Sequence, residues 1–269
     1  VESVRIARFT TGEDPSYGVI TGGLDELGQL DEDAVIVALA GDPLYAGIEL
    51  TGEKVPLDDV RLLAPVIPRS KVLGIGRNYA AHAAELGNDI PAEPLVFLKP
   101  NTSVIGPGDP IVYPRATKDL HFEGELAVVI GRICRDVPAA EAAKVIFGYT
   151  VANDVTARDL QKSDGQWARA KGYDTFCPLG PWIETNLDTS NLRVRTTLNG
   201  DTKQDGTTAD MVFDVPAIIA HVSSFMTLLP GDVILTGTPE GVGPMQVGDA
   251  VAVTVAGIGT LVNQVVSHD

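Results

Sequence analysis

The stretch richest in chemistry is His121-Phe-Glu-Gly-Glu-Leu-Ala-Val-Val-Ile-Gly131. In a strand, residues two apart share a face at roughly 6.5–7 Å. Glu123 and Glu125 therefore point the same way, together with Ala127 and Val129. Phe122, Leu126, Val128 and Ile130 take the opposite face. Both faces are largely apolar, so the strand is expected to be buried on both sides, where two carboxylates are costly unless something positive meets them. Asp154 closes a second apolar run, Tyr149-Thr-Val-Ala-Asn-Asp154. Three carboxylates at strand ends form an all-oxygen donor set, which suits Mg²⁺ or Mn²⁺ better than zinc. For Glu123 and Glu125 alone, acids facing water are an equal reading; the two apolar faces and Asp154 favour a metal.

A second constellation lies upstream. Asn78-Tyr-Ala-Ala-His-Ala-Ala-Glu-Leu-Gly87 reads as a short helix with Asn78 as N-cap and Gly87 as stop. His82 and Glu85 are three apart and neighbours on it. A carboxylate beside an imidazole holds one tautomer and raises its basicity, as a general base requires. An ordinary surface pair is the commoner outcome of that spacing; closeness to Gly74-Ile-Gly76-Arg77 is what argues otherwise. This last segment begins like a dinucleotide fingerprint but lacks the third glycine and a following βαβ unit. It is read instead as a tight turn bringing backbone and Arg77 to an anionic ligand.

Thr236-Gly-Thr-Pro-Glu-Gly-Val-Gly243 either offers N–H and O–H donors to carboxylates or only reverses the chain. Lys171 is a cation beside the metal or a solvated lysine. Cys177 is read as a small buried hydrophobe rather than a nucleophile. His121, His221 and His268 show no ligand spacing, and His221 is assigned to packing.

The elements that must position these groups are mostly strands. Val72–Gly76, Leu126–Ile130, Gly148–Ala152, Val233–Leu235, Val251–Val255 and Leu261–Val266 are short apolar runs rich in β-branched residues. Leu192–Leu198 alternates and meets Asn199-Gly200, a hairpin signal. Pro216–Leu229 is the clearest helix, with Ile218, Ile219, Val222, Phe225 and Met226 on one stripe. Helices are too few to separate the strands, so a strand-rich α+β fold with a mixed or mostly antiparallel sheet is expected. Leu63-Ala-Pro-Val-Ile-Pro-Arg69 is the candidate boundary between a small N-terminal domain, 1–66, and a main domain, 67–269. Tyr79 to Leu86 is shorter than the ~12–15 residues at which isolated helices become marginal. It is expected to act as a mobile lid that carries His82 to the substrate.

Composition excludes several classes. Twenty Lys and Arg against 36 Asp and Glu give a charge of -16, which repels phosphate backbones and argues against nucleic acid. No apolar run approaches the ~20 residues of a membrane span, and no secretory signal is recognised. Two widely spaced cysteines fit a reducing cytoplasm. An acidic substrate would need local cations or a metal to reverse the global field.

In this order, GIGRNYAAHAAELG, EPLVFLKP, LHFEGELAVVIG, GYTVANDVTARDLQ, AKGYDTFCPLGPWI, QDGTTADMVF and GDVILTGTPEGVGP resemble the fumarylacetoacetate hydrolase superfamily, from about Val72 to the end. The resemblance implies a mixed β-sandwich roll as the main domain and a homodimer. It makes Glu123, Glu125 and Asp154 the ligands of Mg²⁺ (or Mn²⁺), and Lys171 the active-site lysine. Thr238 becomes the threonine of the TGTP loop, His82 and Glu85 the catalytic pair of acylpyruvate-cleaving members, and Arg77 and Gln161 substrate-side residues. Many isomerase-type relatives carry an aspartate two residues before the first glutamate. His121 stands there instead, as in acylpyruvase-like and oxaloacetate-decarboxylating members. The activity implied is metal-dependent C–C cleavage of a small 2-oxo acid: oxaloacetate decarboxylation, acylpyruvate hydrolysis, or both. An isomerase or decarboxylase of 2-hydroxy-dienedioates, and a non-catalytic keto-acid binding protein, are the alternatives.

Overall fold

The structure is a computed structural model that describes residues 3–12, 14–25, 30–31 and 33–268. Its main sheet carries β1 (Arg5–Thr10), β2 (Ser16–Ile20), β3 (Val35–Leu39), β4 (Leu50–Pro56), β5 (Val72–Gly76), β6 (Leu95–Lys99), β7 (Gly124–Ile130), β8 (Ile146–Asn153), β9 (Cys177–Glu184) and β10 (Val233–Leu235). In space the order is β4-β3-β2-β1-β9-β8-β7-β10-β5-β6, with Arg61–Leu63 beside β1 and Val104–Ile105 beside β9. Pairing along this path is antiparallel except between β5 and β10. The fold is thus strand-rich α+β with mixed sheets. The N-terminal strands join the rest through β1, where Ile6 lies opposite Ile183 of β9.

A five-stranded sheet packs on the middle of this one. Its order is Asp201–Thr207, Arg193–Leu198, Ala250–Val255, Gly259–Ser267 and Ile111–Tyr113. Between the layers Leu126, Val128, Ile130 and Val151 meet Val194, Val253 and Leu261, together with Val215, Ile218, Ile219 and Val222 of the helix Val215–Phe225. Ala127 and Val129 enter a second cluster on the other face, with Cys177, Leu179, Val233 and Leu235. All seven residues of β7 are buried, as the two apolar faces predict. Burying Leu126, Val128 and Ile130 stabilises by about 1.5–3 kcal/mol each. That is what keeps the start of this strand, and the glutamates around it, fixed.

Three local expectations are corrected. The long helix ends at Phe225, and Met226 is extended at φ -140°, because Leu228 leaves to bridge Cys134; Phe225 is consequently half exposed. Val72–Gly76 is the expected strand, β5, so the tight turn read over Gly74–Arg77 is narrowed to its last residue. A Cβ at Gly76 would come within 2.5 Å of the Trp167 ring, and one at Gly74 would overlap Phe97. These glycines make room for two aromatic rings, and the turn falls on Arg77 at φ 57°. Asn78 is not the helix cap. Its side chain donates to Phe213 O (2.9 Å) and Thr236 O (2.7 Å) and accepts from Phe213 N (2.8 Å).

Candidate active site

The register of β7 on β8 places Glu125 opposite Ala152 and Gly124 opposite Asn153. The chains continue past this pair, and Asp154 N donates to Glu123 O at 2.8 Å. One ligand oxygen each from Glu123, Glu125 and Asp154 then lies within 4.8 Å of the other two, and all three residues are buried. Short elements after Asp154 supply the opposing charge. Arg158 opens the helix Arg158–Asp164 and Lys171 ends the helix Ala168–Lys171.

Lys171 Nζ donates to Glu123 Oε2 (2.9 Å), Asp154 Oδ2 (2.6 Å) and Thr156 Oγ1 (2.8 Å), so all three of its N–H bonds are committed. Arg158 pairs with Glu123 and also donates to Gln161 Oε1 at 2.6 Å. Lys99, at the end of β6, reaches Asp154 Oδ1 at 2.5 Å. Neither Lys99 nor Arg158 is singled out by spacing. The signal available was physical: buried carboxylates need cations, and EPLVFLKP and VTARDLQ each carry one beside an apolar run.

The two glutamates differ in environment. Burial pushes Glu123 up, but Lys171 and Arg158 overcome it and hold this carboxyl far below its ordinary value. Burial also raises Glu125, and here Asp154 and Glu123 add to the effect, outweighing Lys171 and the Gly237 N–H, so its pKa lies well above 4.5. Among the described residues Glu125 has no cation partner; its one hydrogen bond comes from Gly237 N at 2.6 Å. A buried carboxylate left short of positive charge in an all-oxygen cluster is what a hard divalent ion would satisfy. The residues fit such an ion, and Glu123, Glu125 and Asp154 would hold it.

Above this floor lies a cavity of about 390 Å³ lined by Arg77, His82, Glu85, Glu123, Glu125, Asp154, Gln161, Lys171 and Thr238, which brings every site residue expected from the sequence to one space. Phe97, Trp167, Arg158 and Lys162 complete much of the wall. Phe97 and Trp167 meet edge to face at 5.4 Å, and Lys171 Nζ sits 4.9 Å from the Phe97 ring centre. His82 is carried by the helix Ala80–Glu85, with Nδ1 3.3 Å from Glu85 Oε2. That helix closes at Gly87 (φ 69°), where Asn88 N returns to Ala83 O at 2.8 Å. Glu85 is held in turn by Gly241 N at 3.1 Å. Thr238 lines the cavity, but its hydroxyl donates to Gly124 O (2.8 Å) and accepts from Gln204 Nε2 (2.7 Å). Gln204 opens the QDGTTADMVF segment, but no role is read for it, because a polar residue in a hairpin reads as solvated until the two sheets pack. Cys177 is wholly buried, its thiol pushed up to about 12 by burial, which fits packing. His121 lies beside Asp119 at 2.8 Å and is not among the residues that line the cavity.

Comparison with known proteins places the chain in a family. Residues 71–266 match the family model described as fumarylacetoacetate (FAA) hydrolase C-terminal, and residues 4–65 match one described as Rv2993c-like, N-terminal. A mitochondrial oxaloacetate tautomerase of Arabidopsis thaliana is 48% identical over 195 residues, covering 70% of this chain and 87% of the relative. A mitochondrial oxaloacetate decarboxylase of Dictyostelium discoideum is 45% identical over 197 residues, covering 71% and 90%. The solved structure of a 2-hydroxyhepta-2,4-diene-1,7-dioate isomerase from Mycobacterium marinum superposes with a TM-score of 0.89 at 50% identity, covering 98% of both chains. The chain belongs to the fumarylacetoacetate hydrolase family, whose members are enzymes.

Proposed function

We propose that this chain cleaves the C3–C4 bond of a small 2-oxo acid with a second acidic or keto group, by oxaloacetate decarboxylation, acylpyruvate hydrolysis or both. The observation that carries this reading is one cavity in which a three-carboxylate floor faces a buried imidazole held by a carboxylate. A bound Mg²⁺ or Mn²⁺ would supply Lewis-acid charge for a 2-oxo acid's carboxylate and C2 carbonyl oxygens. The rest of the chemistry belongs to side chains.

Arg158 occupies the Gln161 carbonyl, which leaves the Gln161 amide N–H groups for a ligand. With Arg77 and Lys162 they make a donor-rich wall suited to a second carboxylate. Lys171 stabilises negative charge developing on the C2 oxygen as a fixed charge, since its protons are already engaged. If C4 is a carboxylate, the C3–C4 electron pair stays with the pyruvate fragment, CO₂ leaves, and no water needs activation. If C4 is a ketone, water adds there. Glu85 holds His82 Nδ1, so Nε2 takes the proton from water and later returns it to C3. The aromatic wall of Phe97 and Trp167 limits competing protonation by bulk water on that side of the cavity.

The isomerase reading is favoured by one specific finding, the 50% identical structure of that name. It uses the same stabilised enolate but takes a proton from one position of the chain and returns it at another, leaving every C–C bond intact. Oxaloacetate, acetylpyruvate and 2-hydroxyhepta-2,4-diene-1,7-dioate, assayed side by side with Mg²⁺-loaded protein, separate the two. Cleavage of either of the first two supports the proposal. Turnover of the dienedioate alone, without cleavage, would replace it by the isomerase.

A further inference from the structure

Glu123 and Glu125 owe their relative placement to the residue between them. Gly124 cannot be stiffened by a side chain of its own, because a Cβ there would overlap Thr196 Oγ1 and approach Val253 to 2.9 Å. Its peptide groups are instead clamped from outside. Gly124 N donates to Gln204 Oε1 at 2.9 Å, and Gly124 O accepts from Thr238 Oγ1 at 2.8 Å. Gln204 Nε2 closes the ring on Thr238 Oγ1 at 2.7 Å and spends its second proton on Pro239 O at 2.8 Å. Gln204 is fully buried, with both N–H donors used and its carbonyl on Gly124. The amide can therefore sit only one way round.

The second sheet is shaped to deliver this side chain. Thr196 pairs with Gln204 but Thr197 pairs with Thr202, so Lys203 is an extra residue, a bulge, in that strand. Bulges re-aim side chains next to functional sites. The loop it meets is pressed against the same hairpin: a Cβ at Gly206 would lie 2.6 Å from Pro239, and one at Gly241 would overlap the Lys203 carbonyl. Gly241 N is in turn the donor to Glu85.

We propose that Gln204 is a positioning residue. From the second sheet it fixes the Gly124 peptide, and hence the spacing of Glu123 and Glu125 as metal ligands, to the loop that receives Glu85. This rests on the metal reading of the site but adds a residue, outside the cavity, that sets its affinity. Groups that orient metal ligands typically cost 10–100-fold in metal affinity when replaced.

The test is calorimetric titration of Mn²⁺ into metal-free protein, without substrate, well below each variant's melting temperature. Gln204→Met keeps the side chain's size and removes the ring, and should raise the Kd for Mn²⁺ by about 10–100-fold. Thr238→Val should do the same from the ring's other member, while Thr238→Ser should not, which keeps the idea testable if Gln204→Met does not fold. Asn263→Ala is the structural control. Asn263 is buried far along the same sheet and donates to Gly106 O and Asp109 O at 2.8 Å, so its loss should lower melting temperature with Mn²⁺ affinity unchanged. Wild-type affinity within twofold in Gln204→Met or Thr238→Val, or an equal loss in Asn263→Ala, would overturn the positioning role alone. A wild-type protein that takes up no Mn²⁺ would remove the metal reading beneath it.

Discussion

The carboxylate floor and the helix that faces it are built to opposite specifications. Glu123, Glu125 and Asp154 stand at the ends of strands whose two faces both enter the core, and none is more than 4% exposed. The helix Ala80–Glu85 buries only His82 and Ala83. It is held at its base by Asn78 and at its tip by the Glu85–Gly241 contact, polar links of about 1 kcal/mol each. Charge that must be placed accurately is set in the part of the molecule that cannot move. His82 rides instead on a short helix that buries little of its own surface and is anchored through the buried Tyr79 that precedes it.

The strongest way to break this comparison is a paired substitution. Lys171→Ala leaves Glu123 and Asp154 short of a buried partner, a change that costs roughly 3–5 kcal/mol. It should therefore lower both the stability of metal-free protein and turnover. His82→Ala should reduce acylpyruvate hydrolysis by about 10²–10⁴-fold, reduce decarboxylation less, and leave the melting temperature nearly unchanged. Equal losses in the two reactions would assign His82 to a step common to both. A large loss of stability in His82→Ala would erase the contrast between floor and helix.

A smaller effect separates the two glutamates. Glu125 has a raised pKa, so the folded metal-free protein keeps a proton that the unfolded chain loses near 4.5. Its contribution to stability is present below that value and is lost as pH rises toward the folded pKa. Glu123 is depressed, and its contribution is lost as pH falls below 4.5. Melting of metal-free protein as pH rises above about 5 should show a decline that Glu125→Gln removes, at roughly 2–4 °C per kcal/mol. A decline that persists in Glu125→Gln would place the titrating group elsewhere.

Much of this site is readable in the sequence because its logic is local. Strand period two places Glu123 and Glu125 together, and helix period three to four brings His82 to Glu85. The cations are not readable that way. Lys99 and Arg158 meet the carboxylates only after β6 and the Arg158–Asp164 helix have packed, a tertiary event with no sequence period. Asn78 shows the converse: its local capping preference is outcompeted by three buried hydrogen bonds to segments about 135 and 158 residues away. Gly74 and Gly76 look like turn residues because glycine usually marks turns, whereas here the need is space for Phe97 and Trp167.

The central claim is that C–C cleavage depends on a divalent ion held by Glu123, Glu125 and Asp154. The most direct test follows acetylpyruvate cleavage in chelator-treated protein, then after adding Mg²⁺ or Mn²⁺, against blanks containing metal without protein. Activity should vanish on chelation and return with either ion in the wild type, but not in Glu123→Gln. Undiminished cleavage by metal-free protein would contradict the account.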